Sequence, residues 1–234
     1  MKSSIYQIVA ILAVGLHFVP VLVVIGKKLW RALPYRLFAL YWLAAALVNL
    51  LNFMPLPNDA LELCTVIFKL LDIPLILSAI YFSTTSRAVR KFAGFMAPAL
   101  LAASLVNCII RGFTTDVLEY VLGGGLLIVS GVIIWEIIMK LQRIKLSAYV
   151  KGLLLIYAAL LFVYGANAVI YIFDYLLPGK SSATDNLLMY YLSGMVALPV
   201  AIGGYLIKGI KTPLQTTERR ESQFGMGTPD YVKI

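Results

Sequence analysis

One apolar stretch of the chain carries Glu62, Thr65, Lys69 and Asp72 at steps of three, four and three. That spacing places the four side chains on one stripe of an α-helix. The stretch is long enough to cross a bilayer. At bilayer depth an ionisable side chain costs about 2.5–3.5 kcal/mol on insertion scales, so it has to face the protein interior. Two chemistries are open to the inner members of the stripe. Lys69 and Asp72 can neutralise one another as a structural ion pair, each sparing the other a lone buried charge. Alternatively they form a site, with Lys69 taking an anionic or carbonyl ligand, even as a Schiff base, and Asp72 exchanging protons. Pro74 removes a backbone donor just beyond Asp72, which kinks the helix and opens space beside the pair.

A second stripe comes from Tyr157, Tyr164, Asn167, Tyr171 and Asp174, at steps of seven, three, four and three. Asn49, Asn52, Asn107, Tyr190 and Tyr191 fall at a similar depth in other apolar runs. Asparagines and tyrosines that only pack helices together need not gather on one side of the membrane. Their shared depth predicts a polar cavity open to the exterior. The residues expected to bind a ligand there are Lys69, Asp72, Glu62, Thr65, Asn49, Asn52, Asn107, Tyr164, Asn167 and Tyr171. His17, the single histidine, sits mid-run. Either it hydrogen-bonds a neighbouring helix or it joins Asp72 in proton transfer. No residue is assigned a catalytic role. One histidine does not supply bis-histidine haem or the usual zinc ligand sets, so neither haem nor metal is expected. GxSxG, HExxH and phosphate-loop motifs are absent from the sequence. Gly123-Gly124-Gly125 and Gly203-Gly204 follow no strand and lead to no Lys-Ser/Thr, so they are read as permitting close helix contact. Glu136 lies one turn before Lys140 and should pair with it.

These residues are positioned by elements that the composition makes plain. Of 234 residues, 61% are hydrophobic and 13% charged, with a mean hydropathy of +0.90. Soluble domains carry about 25% charge. The apolar excess falls into seven runs, 4–26, 36–54, 60–82, 92–110, 116–139, 152–175 and 186–207, each of the length that crosses a hydrocarbon core. The fold class expected is therefore an all-α integral membrane protein: a seven-helix bundle over residues 1–210, followed by a polar tail over 211–234. Short connections make consecutive helices antiparallel neighbours. The formal charge of +9 belongs to membrane topology and not to nucleic acid, and Cys64 and Cys108 lie in apolar runs where they act as small hydrophobes. All but four of the 20 lysines and arginines, namely Lys2, Lys69, Arg111 and Lys180, fall in one set of loops and the tail. Basic loops stay in the cytoplasm, which sets the N-terminus outside and the C-terminus inside a cell membrane. Asp59, Glu62, Asp116, Glu119, Asp174 and Asp185 mark the opposite, acidic end.

Seven spans, an external N-terminus, short loops and a charged third helix resemble the layout of rhodopsins and seven-helix receptors. The resemblance implies a bundle around a central ligand. Rhodopsins hold retinal on a lysine in the middle of the last helix. Here 186–207 contains none and Lys208 follows only at its end, so retinal on the last helix is not expected. The function expected is binding of a small molecule or ion in an outward-facing intramembrane pocket, as a sensor or receptor. The alternatives are a proton-coupled solute transporter using Asp72 and His17, and a membrane enzyme acting on a lipid or isoprenoid through Glu62 or Asp72. The partners implied are the bilayer, the ligand and a second copy of the chain in a homo-oligomer; nucleic acid is not among them.

Overall fold

A computed structural model describes residues 2–51, 53–142, 146–173 and 183–207. Seven helices run through it: α1 (Lys2–Gly26), α2 (Leu33–Leu51), α3 (Asn58–Ser83), α4 (Arg87–Arg111), α5 (Glu119–Leu141), α6 (Ala148–Tyr171) and α7 (Ala183–Leu206). Each is long and apolar enough to span a membrane, and no strand occurs among the described residues. All seven expected spans are therefore present as helices. Their starts differ from the hydropathy reading for a local reason. α4 begins five residues before the expected 92 because Ser86 caps it, accepting a hydrogen bond from the Val89 amide. Its basic first turn, Arg87 to Lys91, is helical although it is not apolar. α6 likewise begins at Ala148 behind the cap Ser147. α2 starts at Leu33, with Pro34 in its first turn, where the missing amide proton costs nothing. Asp116–Leu118 is a short 3-10 turn ahead of α5. The tail 211–234, Asn52 and Asp174 lie outside the described residues.

The helices close into a ring. α1 packs on α2 and α7, α2 on α3, α3 on α4 and α5, α5 on α6, and α6 on α7. Lys27 at the end of α1 donates through Nζ to the Leu206 carbonyl at the end of α7, at 2.6 Å. Glycine lets α6 and α7 approach closely: a Cβ at Gly204 would stand 2.6 Å from the Gly152 carbonyl oxygen. The interior is aromatic, with Tyr35, Phe38, Trp42, Tyr157, Tyr164, Tyr191 and Tyr205 fully buried. The outside is the reverse, with Leu22, Phe95, Ile109, Ile110 and Leu127 all exposed. A ring of such side chains suits hydrocarbon and not water.

Candidate functional site

Asp72 stands 14 residues along α3, about 21 Å from its start at about 1.5 Å per residue, near the middle of the bundle. Its Oδ1 accepts a hydrogen bond from the Tyr164 hydroxyl at 2.7 Å. Tyr164 belongs to α6, which lies across the ring from α3. Seven residues back on the same α6 face, the Tyr157 hydroxyl shares a hydrogen bond with Ser83 of α3. The tyrosine stripe thus faces α3 and bridges to it with the full length of the phenol side chain. Tyr41 of α2 stacks on Tyr164, ring centroids 6.3 Å apart and planes at 23°. Asn49, also on α2, donates from Nδ2 to its own Ala45 carbonyl at 2.8 Å and to the Tyr190 hydroxyl of α7 at 3.1 Å. Tyr41 and Tyr190 both lie within electrostatic reach of the carboxylate. Three helices, α2, α6 and α7, therefore bring polar groups to the acid that α3 carries at mid-depth.

The cavity that meets Asp72 is not the polar vestibule expected from the sequence. It is a groove of about 290 Å³ between α2 and α3, lined by Ala44, Val48, Leu51, Phe68 and Leu75 among others, with Cys64 toward its acidic end. Leu47, Ile67 and Leu71 on its rim are 49%, 47% and 50% exposed on the outer face of the ring. The approach to Asp72 is lateral and apolar.

Several other candidates are engaged in holding the acidic end together. Glu62 is exposed and accepts through Oε1 from the Thr115 amide at 3.3 Å, stapling α3 to the loop between α4 and α5. Thr65 donates to the Leu61 carbonyl of its own helix at 2.9 Å. Asn107 donates to the Val117 carbonyl in the turn before α5. Asn167 is half-buried on α6, and Lys69 is half-buried one turn outward from Asp72 on the same stripe. The ring of Tyr171 lies against Gly123 of α5, where a Cβ would be 2.5 Å from Cζ. The glycine run thus serves close contact, as its sequence context suggests. His17 is buried, with Nδ1 2.7 Å from the Ala13 carbonyl, and its ring meets Trp42 edge-on with centroids 5.8 Å apart. It belongs to the α1–α2–α7 packing and is not in contact with Asp72.

The expected pair of Glu136 and Lys140 is present, with Nζ to Oε2 at 2.5 Å. Its burial was not foreseen. The two residues are 1% and 3% exposed. Thr84 donates its hydroxyl to the other carboxylate oxygen, Arg90 donates to the Thr84 carbonyl at 2.8 Å, and the Lys140 ammonium lies 5.4 Å from the centre of the Tyr157 ring. The pair therefore joins α5, the end of α3, the start of α4 and α6 in one buried network at the basic end. The signal in the sequence was Glu136 itself, a lone acid in an apolar run, facing the hydroxyl-rich segment Ser83-Thr84-Thr85-Ser86.

Comparison of the chain with protein families, with curated proteins and with solved structures finds no match. The resemblance of layout to rhodopsins and seven-helix receptors expected from the sequence gains no support from these comparisons.

Proposed function

We propose that this is a seven-helix membrane protein that binds a small molecule or ion inside the bundle at Asp72 and acts as a sensor or receptor, with its acidic end outside the cell. The observation that carries the reading is the Asp72 carboxylate: it is held at mid-depth by Tyr164, has polar groups of α2, α6 and α7 around it, and opens onto a cavity. A carboxylate in that position is expensive unless it serves a ligand or a proton. Lys69, one turn away, belongs to the same proposed site. The test is ligand-dependent thermal stability of the purified protein in lipid nanodiscs, compared with Asp72→Asn and Lys69→Ala. A ligand that raises the unfolding temperature of the parent and not of Asp72→Asn supports the site. Variants that fold normally and keep the whole ligand response refute it.

The transporter reading gains one observation, the buried polar network around Glu136 at the basic end, since a carrier needs polar stations on both sides of its barrier. Flux of a bound solute into reconstituted vesicles separates the two readings, because a receptor binds without turnover.

A further inference from the structure

We infer that the ligand of the Asp72 site is a membrane-soluble alkylamine, a single apolar chain ending in one protonated amine, which enters from the bilayer between α2 and α3. The inference rests on the ligand-binding reading above and names the class of molecule.

The groove has the polarity this requires. Along α3 it runs from Leu75 to Cys64, about 16 Å, and along α2 from Ala44 to Leu51, about 10 Å, at about 1.5 Å per residue. Asp72 is the only carboxylate or cationic side chain among the described residues of its lining, and the rest is aliphatic, aromatic or thiol. The half-exposed rim residues Leu47, Ile67 and Leu71 place the entrance on the side of the ring, where lipid chains lie. The carboxylate sits at the deep end, at mid-membrane, and the apolar walls extend from it toward the acidic end. A phospholipid has the opposite arrangement, with its headgroup at the surface and its chains at the midplane, so it does not fit without inverting. The volume of about 290 Å³ lies near the lower limit of about 300 Å³ for ligand pockets and suits one chain.

The head follows from the acid. Tyr164 already donates to one oxygen, so the complement to the carboxylate is a further donor. Away from water a carboxylate and an ammonium are each costly alone, and a hydrogen-bonded pair offsets much of that cost. A fatty acid would set a second carboxyl against the first.

Cys64 reports on occupancy. It lines the acidic end of the groove, while Cys108 is fully buried elsewhere. The experiment uses full-length protein with Cys108→Ser in nanodiscs and follows the rate of Cys64 alkylation by N-ethylmaleimide. Dodecylamine, dodecanol, dodecanoate and methylamine are compared. At a concentration about ten times its dissociation constant, dodecylamine should slow alkylation about tenfold. Dodecanol and dodecanoate should leave the rate unchanged. Protection should vanish in Asp72→Asn. It should also vanish in Val48→Phe, which fills the groove and leaves the acid in place, so the inference stays testable if Asp72→Asn does not fold. Equal protection by dodecanol or survival of protection in Asp72→Asn overturns the alkylamine. If methylamine stabilises the protein through Asp72 while dodecylamine leaves Cys64 open, the binding site stands and the lateral, chain-bearing ligand falls. If no compound acts through Asp72, both fall.

Discussion

Removing one partner of the Glu136–Lys140 pair should cost far more than removing both. The carboxylate has two protein partners, the Lys140 ammonium at 2.5 Å and the Thr84 hydroxyl, and both charged residues are almost fully buried. In Lys140→Met the acid keeps only the hydroxyl. Breaking a buried pair in this way costs about 3–5 kcal/mol, because the remaining charge has neither water nor a counter-ion. Glu136→Met strands the ammonium, leaving it only the face of Tyr157 at 5.4 Å, and should cost a similar amount. The double variant Glu136→Met/Lys140→Met carries no charge into the interior. Its main loss is the acceptor for Thr84, worth about 1–3 kcal/mol when a buried hydroxyl is left unmade. The singles together should therefore exceed the double by roughly 3 kcal/mol or more, a coupling far above that of independent sites. Equilibrium unfolding in mixed micelles, followed by helical circular dichroism, measures all four proteins. Singles that each cost under about 1 kcal/mol, and that sum to the double within about 0.5 kcal/mol, would mean that the pair is solvated, and would refute the reasoning.

The glycines sort themselves by what faces them. Gly204→Ala should destabilise by about 1–3 kcal/mol, because its new methyl meets the backbone carbonyl of Gly152 at 2.6 Å and no rotamer change relieves it. Gly124→Ala meets nothing within 4 Å and should be neutral or stabilise by about 0.5–1 kcal/mol through helix propensity; the reverse order in the same unfolding assay would remove the close α6–α7 contact. For orientation, single cysteines at Arg31 and Phe113 in a cysteine-free background report opposite ends of the bundle. In intact cells an impermeant maleimide should label Phe113→Cys directly and Arg31→Cys only after permeabilisation, and the opposite pattern would invert the proposed topology.

The number of helices was legible because each must carry about twenty apolar residues to cross a membrane, and that constraint is written continuously along the chain. Helix starts were less legible. Hydropathy marks where the hydrocarbon begins, whereas Ser86 and Ser147 mark where backbone hydrogen bonding begins, and between the two lie basic turns that are helical at the interface. The spacing of Tyr157 and Tyr164 revealed a shared face but not its partner: ring closure aims both at α3, across the bundle. Similar depth does not by itself make a shared surface. Glu62 and Asn107 sit at that depth to tie loops to helix ends, a role set by the α4–α5 connection that periodicity within one helix does not register. The groove was equally invisible. It is lined by side chains of both α2 and α3, and the surface two helices form together is not written in either alone.

The two polar centres share their supports. α3 supplies Asp72 to one, and Ser83 and Thr84 to the other; α6 supplies Tyr164 and Tyr157. Between them lie Ile76, Leu77 and Ile80 of α3 with Leu160 of α6, all fully buried and apolar. Along α6 the centres are seven residues apart, about 10 Å at about 1.5 Å per residue, too far for a direct hydrogen bond across the apolar layer. Proton or solute passage would need that layer to open and hydrate. A relative movement of α3 and α6 needs no such opening, because the tyrosine bridges anchor both centres to the same two helices. A ligand at Asp72 that shifts α6 through Tyr164 would also shift Tyr157, whose ring faces the Lys140 ammonium. Mechanical coupling through shared helices, with a dry layer intact between the centres, is what the proposed receptor requires. A carrier would have to dismantle that layer in every cycle.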